Sequence, residues 1–131
     1  MSFIDLPMNI DEVKEDQPVP EGEYNLVISD VKEKNNEDGS LKSLLVICEI
    51  QGQEGAANVL HNISMPQPAD DPEKISFKMK FIKRFVQLFK VKTDGGKLNL
   101  SAFPGCTAKC FLTQEEYNGT VSNKIKLPAA K

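Results

Sequence analysis

Hydrophobic and polar residues alternate with period 2 along most of this chain, and one stretch follows a helical period instead. "EGEYNLVISDVKEK" (21–34) puts Tyr24, Leu26 and Ile28 on one side and Asn25, Val27 and Ser29 on the other, which predicts a strand. "NNEDGS" (35–40) is a turn, with Gly39 available for a positive φ. "KSLLVICEI" (42–50) is a continuous apolar run of strand length, expected to be covered on both sides for much of its course. "GQEG" (52–55) turns the chain into a weaker third strand, "ANVLHNISM" (57–65), and "PQPADDP" (66–72) interrupts regular structure. The spacing then predicts a helix over 73–91. Ile75, Met79, Ile82, Val86 and Phe89 form its apolar stripe, widened by Phe81, Phe85 and Leu88, and basic residues lie opposite. Asp70 or Asp71 would cap it, with Pro72 in the first turn. A loop (93–105) leads to two last strands, "CTAKCFLT" (106–113) and "VSNKIKLP" (121–128).

Three strands, a helix and two strands is the order of the OB-fold. The reading is therefore a mainly β domain over 21–131, a five-stranded OB-fold-like barrel with one α-helix between strands three and four. Between the last two strands sits "YNG". An Asn-Gly pair flanked by alternating runs signals a type I′ hairpin, whose two central residues both need positive φ. With Asn118 and Gly119 at the turn, Tyr117 faces Thr120, Glu115 faces Ser122, Thr113 faces Lys124 and Phe111 faces Lys126. The alternate pairs, Leu112 with Ile125 and Cys110 with Leu127, form an apolar core face. The outward face then carries Lys109, Phe111, Tyr117, Lys124 and Lys126, with Glu115 the dissenting charge. Lysines beside aromatic rings suit a single nucleic-acid strand, since ammonium groups pair with phosphates and rings stack on unpaired bases. The bland reading of the same face is cross-strand packing of Phe111 under the Lys126 stem and a solvated rim.

Charge adds an asymmetry. The formal net charge is −3, but residues 1–38 hold eleven acids and three lysines, while 39–131 hold eight acids and thirteen bases. Residues 1–20 read as an extended acidic arm docking locally through Phe3, Ile4, Leu6 or Val13. The helix region has seven bases (Lys74, Lys78, Lys80, Lys83, Arg84, Lys90, Lys92) against Glu73 alone. Such a helix either tracks phosphates, lies on a membrane, or plugs the barrel with its phenylalanines; the plug is favoured. No apolar run is long enough for a bilayer span, so a cytoplasmic protein without membrane contact is expected. Cys48, Cys106 and Cys110 suit reduced, buried thiols. With His61 they do not make a zinc site, because Cys106 and Cys110 lie four apart on a strand, roughly 13 Å. His61 is read as a barrel histidine or a base-stacking one. No nucleophile, phosphate-loop or metalloprotease motif is present, so neither an enzyme nor a cofactor is expected.

Several phrases together resemble the small bacteriophage-type single-stranded DNA-binding proteins. They are "VPEGEYNLVISDV" (19–31) after an acidic arm, "CEIQG" (48–52), "FPGCTAKCFLTQEEYNG" (103–119) and "SNKIKLP" (122–128), spread over about residues 19–128. The resemblance implies an OB-fold that holds single-stranded DNA in phage replication or recombination, without sequence preference or cofactor. Tyr24, Phe111, Tyr117, Lys124 and Lys126 fall within these phrases. Lys34 and Lys42 flank the first hairpin loop, where OB-folds often touch ligand. Many bacterial single-stranded DNA-binding proteins recruit partners through an acidic tail. This sequence ends "KIKLPAAK", so contact with replication or recombination proteins would fall to the acidic arm. The competing reading is an adaptor that uses the same barrel for protein contacts.

Overall fold

The computed structural model describes residues 2–12 and 16–128. Its strands are β1 (Gly22–Asn35), β2 (Leu41–Ile50), β3 (Val59–Ser64), β4 (Thr93–Asp94), β5 (Lys97–Leu98), β6 (Thr107–Tyr117) and β7 (Thr120–Lys126), and its helix is α1 (Pro72–Phe89). The five long strands form one antiparallel sheet in the order β3-β2-β1-β6-β7. β4 and β5 make a separate two-residue hairpin across Gly95 and Gly96, inside what reads as loop in the sequence. Among the described residues no ladder joins the edge strands β3 and β7, so the closed barrel expected from the sequence is not found.

The β6–β7 register is the one that Asn118 and Gly119 predict: Tyr117 opposes Thr120, Phe111 opposes Lys126 and Leu112 opposes Ile125. Both turn residues take positive φ, 51° and 79°. β1 departs from simple alternation. A bulge at Ser29 shifts its register against β2, so Ile28 opposes Cys48 while Asp30 opposes Ile47. The Ser29 hydroxyl donates to the Ile47 carbonyl, giving the interrupted ladder a side-chain bond in its place.

One face of the sheet makes the core, from Leu26, Ile28, Leu44, Val46, Cys48, Val59, Ile63, Cys110, Leu112 and Ile125. Phe85 and Phe89 of α1 and Phe103 close it, with Phe85 stacked on Phe89 at 4.7 Å and on His61 at 5.0 Å. Each buried phenylalanine contributes about 1.5–3 kcal/mol of transfer free energy. The helix begins where its signals place it. Asp71 caps the Lys74 amide and Pro72 occupies the first turn, while Asp70 holds the Lys78 ammonium at 2.8 Å.

The predicted apolar stripe is used only toward its C-terminal end. Ile82, Phe85 and Phe89 are buried and Val86 and Leu88 half-buried, but Ile75, Met79 and Phe81 are exposed, as is Phe77, which the stripe does not include. At 1.5 Å per residue an 18-residue helix runs about 27 Å, and its first two turns overhang the core.

Among the described residues the arm meets the body near its end. The Gln17 amide donates to Gly55 O, Ala57 N donates back to Gln17 O, and Val19 is buried. Asn123 grips Val19 from β7: its Oδ1 accepts from the Val19 amide and its Nδ2 donates to the Val19 carbonyl, both at 2.8 Å. Phe3, Ile4 and Leu6 are exposed rather than docked, and Val13 lies outside the described residues.

Candidate nucleic-acid interface

Helix α1 covers the core face of the sheet and leaves the opposite face uncovered. On β6 and β7 that open face presents Lys109, Phe111, Thr113, Lys124 and Lys126, as the hairpin register requires. Phe111 is 43% exposed and Lys126 is exposed, while Lys124 is half-buried. Tyr117 shares the face but sits at the hairpin tip, six residues and about 20 Å from Phe111, so the two rings do not form one platform.

The Ser29 bulge extends this face. Unbroken alternation would send Lys32 and Lys34 to the core side with Leu26 and Ile28. Beyond the bulge, Lys32 instead opposes Leu45 and Lys34 opposes Ser43, both on the open side. Lys34 thus joins the predicted face, and Lys32 is an addition that sequence alternation missed. Leu45, Ile47 and the 44% exposed Leu60 put apolar surface between them and β3. Lys42 is exposed at the second irregularity of the β1–β2 ladder, beside the hairpin turn.

Two predicted contacts lie elsewhere. Tyr24 is on the core side of β1, half-buried against the core, with its hydroxyl donating to the Pro20 carbonyl at 2.7 Å. It opposes buried Cys110 in the β1–β6 ladder, and that parity turns it away from the open face. His61 is on the core side of β3. Its ring lies against Phe85 with 11° between the planes, and burial, with a smaller push from Lys124, lowers its pKa to about 4. It is a neutral core ring at pH 7 and not an exposed stacking platform.

Acids interrupt the field. Glu23, Asp30, Glu49 and Glu115 share the face with Lys32, Lys34, Lys109, Lys124 and Lys126. Glu23 pairs with Lys109 at 3.3 Å, both side chains mostly exposed, which is worth little in stability. The sequence alone does not place Glu23 on this face, because its ion pair is cross-strand. Only the β1–β6 register, with Glu23 opposite Phe111, places it beside Lys109.

On the core side, Cys48 and Cys110 are buried and burial pushes both thiols up to about 12, so they stay protonated. No helix of the described residues is long and apolar enough to cross a membrane. Comparison with protein-family models and with curated protein sequences finds no match.

Proposed function

We propose that this chain is a non-enzymatic protein that binds single-stranded DNA, without marked sequence preference, along the open face of its sheet. The observation that carries the reading is the convergence of five lysines and exposed Phe111 on the one sheet face the helix leaves bare. The strand order β3-β2-β1-β6-β7, with a helix between the third and fourth long strands, supports an OB-fold opened along the β3–β7 seam. The phrase resemblance favours DNA and a place in phage-type replication or recombination.

In mechanism, Lys32, Lys34, Lys124 and Lys126 neutralise successive phosphates and release counterions. Phe111 offers a ring to one unpaired base, and the apolar patch of Leu45, Ile47 and Leu60 accommodates others. A duplex presents no unstacked base to these groups. The four acids hold the net charge of the face close to neutral, so binding is expected to be modest and steeply salt-dependent.

The test is fluorescence anisotropy on labelled oligothymidylate and on a duplex at two salt concentrations. The expected result is single-strand preference, weakened by salt and by Phe111→Ala by about 1–3 kcal/mol. Absence of binding at low salt, or binding indifferent to salt, sinks the reading.

A further inference from the structure

On the helix side of the molecule, away from the lysine face, a groove of about 910 Å³ runs between α1 and the β4–β5 hairpin. Leu41, Met65, Met79, Ile82, Val86 and Leu98 line it. Lys80, Lys83 and Lys97 stand along it, and none of the three has an ion-pair partner among the described residues. An apolar trough with unpaired ammonium groups at its rim fits an extended peptide that alternates apolar and acidic residues.

The chain itself carries such a peptide. In "FIDLPMNIDE" (3–12) Ile4, Leu6, Met8 and Ile10 occupy alternate positions, so an extended backbone sets all four on one side and Asp5 and Asp11 on the other. Nothing in the structure covers them: Phe3 is 88% and Ile4 84% exposed, and Leu6, Met8 and Ile10 are exposed too. The segment 2–12 has three acids and no base, opposite in sign to the groove.

We propose that the arm of one copy lies in the helix-flank groove of a second copy, and that the exchange is reciprocal. The arm's own placement argues for the second copy. It is pinned at Gln17 beside Ala56, three residues before β3, whereas the groove opens beside Met65, past the end of β3. In the chain's own fold residues 10–12 are wound into a 3-10 turn, and Ile4, Leu6, Met8 and Ile10 stay exposed, outside their own groove. Two copies, each with one arm and one groove, close as a two-fold dimer. The inference does not depend on nucleic-acid binding.

Sedimentation velocity of the full chain, from micromolar to submillimolar, tests it. The expected result is a monomer–dimer equilibrium weakened by salt. Removing residues 2–12, or introducing Leu6→Asp with Met8→Asp, should leave a monomer with unchanged thermal stability, since these residues touch no core. Lys80→Glu with Lys83→Glu should weaken association at least tenfold, and Asp5→Lys with Asp11→Lys in the same chain should restore it. An equimolar mixture of arm-deleted and groove-variant chains should form a heterodimer, one arm in one intact groove. A full chain that stays monomeric throughout overturns the proposal, as does a dimer that survives removal of the arm.

Discussion

At pH 7 the His61 imidazole is uncharged, because burial against Phe85 lowers its pKa from the usual 6.5 to about 4. Lys124 adds to the shift, and Lys74 and Lys78 stand in the same cleft. The unfolded chain therefore binds a proton between pH 6.5 and about 4 that the folded chain refuses. The stability linked to His61 is fully present above 6.5 and declines as pH falls toward 4. Urea midpoints measured across that window should drop with acidification, and His61→Phe should flatten the slope. Asp38 and Asp70 also lie below the usual carboxylate range, held by Ser40 and by Lys78 respectively, so their contribution is lost only at still lower pH. Asn123 works at the same scale. Asn123→Ala removes the side-chain acceptor of the Val19 amide, while Gln114 keeps a 2.7 Å bond to the Val19 carbonyl. The expected loss is about 1–3 kcal/mol, read from the urea midpoint.

Elements explain which parts of the molecule can be read from the sequence. The β6–β7 hairpin is legible to the residue, because Asn118 and Gly119 determine a turn type and the turn determines the pairing. The helix start is legible for a similar reason, since Asp71 and Pro72 act through local bonds. The Ser29 bulge is not legible. In "VISDVKEK" the three-residue step from Ile28 to Val31 breaks the period of 2, but such a break also ends strands, and tertiary pairing of β1 with β2 on one side and with the chain around Gly105 and Cys106 on the other makes it a bulge. That single slip carries Lys32 and Lys34 to the open face. Tyr24 enters the predicted contacts through the phrase resemblance and His61 through its residue type, and the structure puts both on the core side. The helix overhang is equally hidden, since period 3.6 marks an apolar stripe but not how far the partner layer extends. Two measurements follow from these elements. Lys32→Gln and Lys34→Gln should each lower the salt slope of single-strand binding by about 0.7, while Lys90→Gln, at the helix end, leaves it unchanged. Phe85→Ala should cost about 3–5 kcal/mol in denaturant unfolding, and Phe77→Ala, 61% exposed, within about 0.5.

Across the whole molecule the sheet is continuous from β3 to β7 but open between them, and that seam bears on cooperativity. One end of the seam is tied by the Gln17–Val19 segment, which bonds to the β2–β3 connection on one side and to Asn123 on the other. The other end is a cleft of about 470 Å³ flanked by His61, Ile125 and the overhanging Phe77 and Phe81. Hairpin β6–β7 therefore joins the rest through one ladder, Gly22–Val27 against Thr107–Leu112, through its core side chains and through the Asn123 and Gln114 bonds to Val19. The cysteines report on whether that is enough to make one cooperative unit. Cys48 is buried in β2 and Cys110 in β6, whereas Cys106 is half-buried just before β6, its Sγ donating to the Ala102 carbonyl. Thiol labelling above neutral pH should modify Cys106 first. Cys48 and Cys110, both held protonated by burial, should then react at one common rate, governed by global opening. Site-resolved mass spectrometry distinguishes the outcomes. If Cys110 is modified well before Cys48, the β6–β7 hairpin swings out along the open seam as its own unit, and the lysine face divides with it.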